Sequence, residues 1–110
     1  DEALILNSDG TVSETNTCNI LAIDGKNMIV PASTHVLNGI TLRCVMQIMA
    51  KKGFIVSNMS VDAETFCTLP YVFVTNALMG MVPVRRINNT IFEMDRLICR
   101  QVNEMLFSAC

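Results

Sequence analysis

A polar residue recurs at every fourth position between residues 40 and 52, and this spacing predicts an amphipathic helix. Arg43, Gln47 and Lys51 carry the polar positions, and the residues between them are almost all apolar. Because 3.6 residues make one turn of helix, these side chains form one narrow solvent-facing stripe. Gly53, just after the pattern, is typical of a helix C-terminus. The sequence therefore predicts a helix that is covered on most of its surface.

Short apolar runs on both sides of this helix predict strands, because they are rich in β-branched and aromatic residues. Asp24-Gly25, between two of these runs, is a strong hairpin signal. Pro83 favours an edge strand or a bulge. Turns are expected at 8–10 and 88–89, and a loop at 76–80. The predicted strands cover residues 3–7, 12–14, 19–23, 28–30, 54–56, 71–75 and 82–84.

Two more helices complete the pattern. A brief helix is expected over residues 62–67, with Asp62 as its N-cap. The last helix covers about residues 95–107, and its predicted buried face consists of Leu97, Ile98, Val102, Met105 and Leu106. The mixture predicts an α/β (mixed α+β) fold in which a β-sheet is flanked by helices.

Composition limits the class of protein. The chain has 110 residues, enough for one domain, and 51% of them are hydrophobic. Its mean hydropathy is +0.42, but no apolar run approaches the roughly 18 residues of a membrane span. The formal charge of −2 gives no basic surface for nucleic acid. The apolar excess favours a surface buried against another domain or subunit, and because the first residue is Asp1 we expect a piece of a longer polypeptide.

The cysteines do not indicate a metal site. The chain has five cysteines and one histidine, His35, and the cysteines form no C-x-x-C pair, so zinc ligation is unsupported. Cys44 and Cys99 lie within helical patterns. We interpret them as small core residues of a protein in a reducing cytoplasm.

The entrance to the first helix has the features of an anion site. Residues 37–41 read Leu-Asn-Gly-Ile-Thr and lead directly into the helical pattern. The first turn of a helix has unpaired N–H groups and the positive end of the helix dipole, and Thr41 adds a hydroxyl. Capping alone also explains glycine and threonine at a helix start.

Four segments in this order resemble the C-terminal half of the class IV (fold type IV) pyridoxal-phosphate enzymes. They are residues 1–4 (Asp-Glu-Ala-Leu), 12–14 (Val-Ser-Glu) with 19–20 (Asn-Ile), 37–41, and 74–79 (Val-Thr-Asn-Ala-Leu-Met) with 83–84 (Pro-Val). The family includes branched-chain aminotransferases, D-amino acid aminotransferases and 4-amino-4-deoxychorismate lyases. The resemblance implies the C-terminal pseudo-barrel domain of the D-amino acid aminotransferase-like fold over residues 1–110, with pyridoxal 5'-phosphate as cofactor.

The resemblance assigns roles around the cofactor ring. Glu14 matches the carboxylate that bonds the pyridine nitrogen and keeps it protonated, so that the ring accepts electrons. Asn19 matches an asparagine that supports this segment. Leu37 matches the apolar residue that packs against one face of the ring.

The resemblance also assigns the phosphate site. Ile40 and Thr41 match residues whose backbone N–H groups, with the threonine hydroxyl, hold the phosphate. Gly39 allows the backbone to approach it closely. The anion site expected from the residues alone and the family's phosphate site therefore coincide.

Residues 76–79 bear on the subfamily. Asn76 and Ala77 match cofactor-binding positions, although Ala77 replaces the threonine that aminotransferases commonly have there and offers only its N–H. The run Asn-Ala-Leu-Met is similar to that of the lyases, whereas aminotransferases more often have a Gly-Thr-Ala-Ala type. Leu78 and Met79 would line the substrate side.

The family's catalytic lysine matches none of Lys26, Lys51 and Lys52, and we expect it upstream of Asp1. The resemblance then implies an aminodeoxychorismate lyase-like enzyme that releases pyruvate and 4-aminobenzoate for folate synthesis. A class IV aminotransferase acting on branched-chain or D-amino acids is the alternative, and a non-catalytic binding domain is the alternative of another class.

The expected partners are a small amino substrate, the N-terminal domain of the same polypeptide and a second copy in a homodimer. Neither nucleic acid nor membrane is expected as a partner. This chain alone should be inactive.

Overall fold

The computed structural model describes residues 4–6, 12–15, 19–32, 40–87 and 90–109, with side chains over 19–32, 40–87 and 90–107. The expected turns at 8–10 and 88–89 lie outside these ranges, as do Leu37, Gly39 and His35. The elements are β1 Leu4–Leu6, β2 Val12–Thr15, β3 Asn19–Asp24, β4 Asn27–Pro31, α1 Ile40–Lys51, β5 Ile55–Met59, α2 Ala63–Phe66, β6 Tyr71–Asn76, β7 Gly80–Pro83, β8 Arg86–Ile87, β9 Thr90–Ile91 and α3 Arg96–Ala109.

A five-stranded sheet forms the centre of the described structure, in the order β5-β4-β3-β6-β7. Strands β4 and β5 pair in parallel, with α1 as the connection between them, and the other neighbours are antiparallel. Strand β7 is at the edge, which confirms the position expected for Pro83. The pairs β1–β2 and β8–β9 are separate two-stranded ribbons.

The sheet is buried on both faces. Alternate residues of a strand point to opposite sides, so Leu21, Phe73 and Val30 face α1 and α3, while Ile20 and Val72 face α2. Phe66 of α2 and Phe92 fill the second side. The fold class expected from the sequence, a mixed α/β sheet with flanking helices, is confirmed.

The structure confirms three residues of the predicted buried face of α3, namely Ile98, Val102 and Leu106. The other two are exposed. Cys99, Val102 and Leu106 are the residues of α3 that enter the core, whereas Leu97 is 62% exposed and Met105 is also exposed. The reason is angular, because Leu97 lies about half a turn around the helix from Val102 and Leu106. An apolar residue in the pattern therefore does not show which side of the helix meets the sheet.

Local signals place most boundaries to within a residue or two. The hairpin forms, but its two turn residues are Gly25 and Lys26, since Asp24 pairs with Asn27 and Gly25 has φ 62°. Asp62 caps α2 as expected, and its Oδ1 accepts a hydrogen bond of 2.7 Å from the Thr65 N–H. Strand β5 begins after Phe54 and continues to Met59.

Leu106→Ala should lower the free energy of unfolding by about 2–4 kcal/mol, because Leu106 is 6% exposed and truncation leaves a cavity. Leu97→Ala is the matched control on the same helix and should change it by less than about 0.5 kcal/mol. Urea denaturation of the 110-residue chain measures both. Equal effects would contradict the observed orientation of α3.

Candidate functional site

One edge of the five-stranded sheet brings together several of the residues singled out in the sequence. Pro31 pairs with Met59 at this edge, where β4 and β5 end, and Asn19 and Asn76 are the first residue of β3 and the last of β6. We call this the upper edge. The opposite end, with the Gly25-Lys26 turn, is the lower edge.

Helix α1 begins at the upper edge. It follows β4, whose last residue is at the upper edge, and leads into β5, whose first residue Ile55 pairs with Asn27 at the lower edge. Its 12 residues extend about 18 Å, close to the length of the strands that it covers. The amino end of α1 and the carboxyl ends of β4, β5 and β6 therefore meet at one edge, where ligands bind in many open α/β sheets.

The first turn of α1 has two features that bear on the anion site expected from the sequence. Ile40 is its exposed first residue and Thr41 is partly buried. No acidic residue lies in this turn, so no side chain of the turn neutralises the positive end of the helix dipole. Leu37 and Gly39 precede the described part of the helix, and their contribution remains a prediction.

Thr75 is a buried polar side chain at the upper edge. It is 1% exposed, and its Oγ1 has no hydrogen-bond partner within the described ranges. It pairs directly with Asn19, and both follow the alternation of Leu21 and Phe73, so both lie on the face of the sheet that α1 and α3 cover. A buried hydroxyl without a partner costs free energy, so a ligand atom or water at this position would be favourable.

Asn76 builds the turn that follows β6. Its Oδ1 accepts hydrogen bonds from the backbone N–H groups of Leu78, at 3.0 Å, and Met79, at 2.7 Å. Asn76 and Gly80 pair as strand residues, so the loop expected at 76–80 is a strand-to-strand turn of Ala77 to Met79. Leu78 is 89% exposed and Met79 is also exposed. The turn therefore presents apolar side chains, while two of its donors are used internally.

Glu14 lies in β2, where its backbone is paired with Ile5 of β1. Strand β2 contacts both β3 and β4, so this ribbon lies beside the central sheet. The Glu14 side chain is outside the described residues, and its role stays a prediction.

All lysines of the chain lie at the lower edge. Lys26 is in the hairpin turn, with its Nζ 5.1 Å from the centroid of the Phe54 ring. Lys51 ends α1, and the neighbouring Lys52 donates from its Nζ to Gln101 Oε1 at 3.2 Å. The upper edge is about a strand length away, roughly 16 Å. These amines do not serve a ligand bound at the upper edge.

Cys67 and Cys99 are not candidate nucleophiles. Burial raises the pKa of the Cys99 thiol to about 12 and, less strongly, raises that of Cys67, so both stay protonated at neutral pH. Across the part of the chain that the structure describes, no three His, Cys, Asp or Glu side chains form a group that could hold a metal ion. Nor is any helix in those ranges long and apolar enough to span a membrane.

Thr75 is a candidate site residue to which the sequence analysis assigned no role, although it lies in the run 74–79 that carries the resemblance. The available signal was a polar residue in phase with Tyr71 and Phe73 on a buried strand. That signal becomes specific only when the strand register places Asn19 beside Thr75.

The family model for amino-transferase class IV matches residues 1–87. The chain belongs to this family. This confirms the resemblance on which the cofactor and site assignments depend. The branched-chain-amino-acid aminotransferase-like protein 2 of Arabidopsis thaliana is 32% identical over 83% of this chain and 16% of its own length. The branched-chain-amino-acid aminotransferase of Pseudomonas aeruginosa is 27% identical over 80% of this chain and 29% of its own length.

Solved structures agree with the fold. The fold IV transaminase of Curtobacterium pusillum superposes with a TM-score of 0.91 at 16% identity, over 100% of this chain and 38% of that one. A protein assigned as a 4-amino-4-deoxychorismate lyase, from Legionella pneumophila, superposes with a TM-score of 0.87 at 27% identity. The match covers 97% of this chain and 40% of that one. An aminotransferase from Brucella abortus, solved with pyridoxal phosphate, superposes with a TM-score of 0.85 at 24% identity. The match covers 96% of this chain and 38% of that one.

Thr75→Val should raise the free energy of unfolding of the ligand-free protein by about 1–2 kcal/mol, because it removes a buried hydroxyl for which the described residues provide no partner. Ser60→Ala, which removes an exposed hydroxyl, is the control and should change it by less than about 0.5 kcal/mol. Urea denaturation provides the comparison. Destabilisation by Thr75→Val would mean that the hydroxyl has a partner in the ligand-free protein.

Proposed function

We propose that this chain is the pyridoxal-phosphate-binding domain of a class IV enzyme and that the cofactor phosphate binds at the upper edge. The observation that carries the proposal is the buried Thr75 hydroxyl, which has no partner among the described residues and lies at the edge where α1 begins. The first turn of α1 provides backbone N–H donors and a positive dipole end at the same edge. An anion with several acceptor oxygens fits such a set of donors.

The remaining contacts follow the family pattern. Ile40 and Thr41 donate backbone N–H groups, and the Thr41 hydroxyl adds another donor to the phosphate. Gly39 allows close approach and Leu37 packs against the ring. Asn76 and Ala77 adjoin this site through the turn at the end of β6.

Glu14 is proposed to bond the pyridine nitrogen and hold a proton on it, with Asn19 supporting the same segment. The contact of β2 with β3, in which Asn19 lies, supports this placement. When bound, pyridoxal phosphate supplies an electron sink for the bond broken at the substrate α-carbon. The residues of this chain bind and orient the cofactor and hold the proton on its ring nitrogen.

The lysine that carries the cofactor is proposed to come from another segment of the polypeptide, because Lys26, Lys51 and Lys52 are at the lower edge. The chain spans 16% and 29% of the curated relatives described above, which supports a further domain. Exposed apolar side chains such as Leu78, Leu97 and Phe107 favour burial against that domain or a second copy. Free thiols at Cys67 and Cys99 fit a cytoplasmic protein.

For the reaction, we favour an aminodeoxychorismate lyase that yields pyruvate and 4-aminobenzoate. The run from Asn76 to Met79 supports this activity, because it is similar to the Asn-Ala-Leu-Met run of the lyases. Leu78 and Met79, which are exposed in this turn, would line the substrate side. The Legionella neighbour, 27% identical, is consistent with it.

A branched-chain aminotransferase is the second candidate, since the 32% identical Arabidopsis relative has a name of that type. Leu78 and Met79 would also suit an aliphatic substrate side chain. A domain that binds without catalysis is the third.

Incubation of the full-length gene product with aminodeoxychorismate should release 4-aminobenzoate and pyruvate, followed by absorbance and a coupled pyruvate assay. Parallel reactions with L-leucine or D-alanine and 2-oxoglutarate test the transaminase. If only the amino acids are turned over, the lyase activity is ruled out and the aminotransferase activity takes its place. Cofactor binding without any turnover would favour the non-catalytic domain.

Glu14→Ala in the full-length gene product should lower kcat by about 10²–10³-fold, because it removes the charge that stabilises the protonated ring. Cys44→Ala, at a partly buried position on the edge of the core, is the control and should leave kcat within about twofold. Steady-state kinetics at saturating pyridoxal phosphate compares them. Similar kcat values for the two variants would rule out the proposed role of Glu14.

A further inference from the structure

Helix α3 is joined to the edge strand β7 by one asparagine side chain. The Met81 N–H donates to Asn103 Oδ1 at 2.8 Å, and Asn103 Nδ2 donates to the Met81 carbonyl at 3.1 Å. A side-chain amide has both a donor and an acceptor, so Asn103 pairs with this edge as a neighbouring strand would. These bonds are partly buried, and loss of Asn103 would leave both backbone groups of Met81 without this partner.

The same amide packs directly on Gly80. A Cβ at residue 80 would overlap Asn103 Oδ1 and come within 3.1 Å of Phe107 Cε2. Gly80 also has φ 73°, which side-chain-bearing residues rarely adopt. The close approach of α3 to the start of β7 therefore depends on a glycine at this position.

The contact lies at the end of the turn that carries Leu78 and Met79. Gly80 pairs with Asn76 across the hairpin, so only Ala77, Leu78 and Met79 separate the two. Leu78 is 89% exposed and is not held by packing within the described structure. Two sets of hydrogen bonds therefore set its position: those that Asn76 accepts within the turn, and those that join Met81 of β7 to Asn103 of α3.

We infer that Asn103 is a positioning residue for the turn of Ala77 to Met79 and thereby for the substrate that this turn contacts. The inference rests on the proposed function, because the turn must face substrate for its position to affect binding. Asn103 acts through Met81 and Gly80 and does not itself touch the substrate. It lies outside residues 1–87, the part of the chain that the family model matches.

The test uses the full-length gene product with Asn103→Ala, Asn103→Asp and the exposed control Arg100→Ala on the same helix. The substrate is whichever of aminodeoxychorismate and L-leucine the wild type turns over. Asn103→Ala should raise KM about tenfold and leave kcat within about twofold, because it weakens ground-state and transition-state binding alike. Asn103→Asp keeps the acceptor toward the Met81 N–H and should fall between wild type and Asn103→Ala. Arg100→Ala should match the wild type.

Amide hydrogen exchange provides a readout that does not depend on activity. In Asn103→Ala, peptides covering 76–82 should exchange about tenfold faster, while peptides from the central strand β3 should be unchanged. Faster exchange with an unchanged KM would show that Asn103 is only a structural contact and would overturn its role in positioning the turn for substrate. Unchanged exchange would show that Asn103 does not hold the turn at all. A wild type that binds no pyridoxal phosphate by absorbance titration would refute the proposed function, whereas the exchange result would still decide on the anchor.

A double-mutant comparison separates the contact from backbone strain. Gly80→Ala displaces Asn103 and also strains the backbone, whereas Gly25→Ala, at φ 62° with nothing within 4 Å, measures strain alone. Gly80→Ala should raise KM as Asn103→Ala does, and the double variant should be no worse than either, since both act on one contact. Additive effects on KM would show that the two residues act separately and would overturn the inference.

Discussion

The parallel pairing of β4 with β5 is the constraint on which the rest of the site depends. Parallel neighbours cannot be joined by a tight turn, so the chain must cross the sheet between them, and α1 makes the crossing. A helix that ends at the lower edge must begin at the upper one. Its first-turn N–H groups, which have no partner within the helix itself, therefore lie at the edge where the antiparallel pairing of β3 with β6 places Asn19, Thr75 and Asn76.

The sequence predicts features whose physical cause is local. The Asp62 cap, the start of α1 at Ile40 and the hairpin near Gly25 depend on residues within a few positions, so their signals can be read directly. The anion site expected at the entrance of α1 rests on the same kind of local signal, and it stays a prediction. The match to residues 1–87 confirmed the family that the resemblance indicated.

The features that escaped prediction depend on partners far along the chain. Leu97 fits the apolar pattern of α3, yet it is exposed because docking chose the side with Cys99 and Leu106. Thr75 is notable only once register sets it opposite Asn19, 56 positions earlier (75 − 19 = 56). Asn103 is a polar residue among apolar ones on α3, and it is bonded there to the backbone of Met81, 22 positions away. The residue pattern predicts that a helix or strand exists, whereas its packing against the rest of the fold determines which of its side chains are buried or paired.

The two asparagines at the β6–β7 hairpin show how a turn can be fixed without packing. Asn76 accepts hydrogen bonds from the N–H groups of Leu78 and Met79 within the turn. Asn103 of α3 binds the backbone of Met81 and so holds the edge strand β7. Because both amides are committed to backbone groups, the turn keeps its shape while its side chains stay exposed. In the proposed function, the turn would therefore offer the substrate apolar side chains rather than the N–H donors of Leu78 and Met79. On this proposal, selectivity at the turn depends on the shape and apolar area of the substrate.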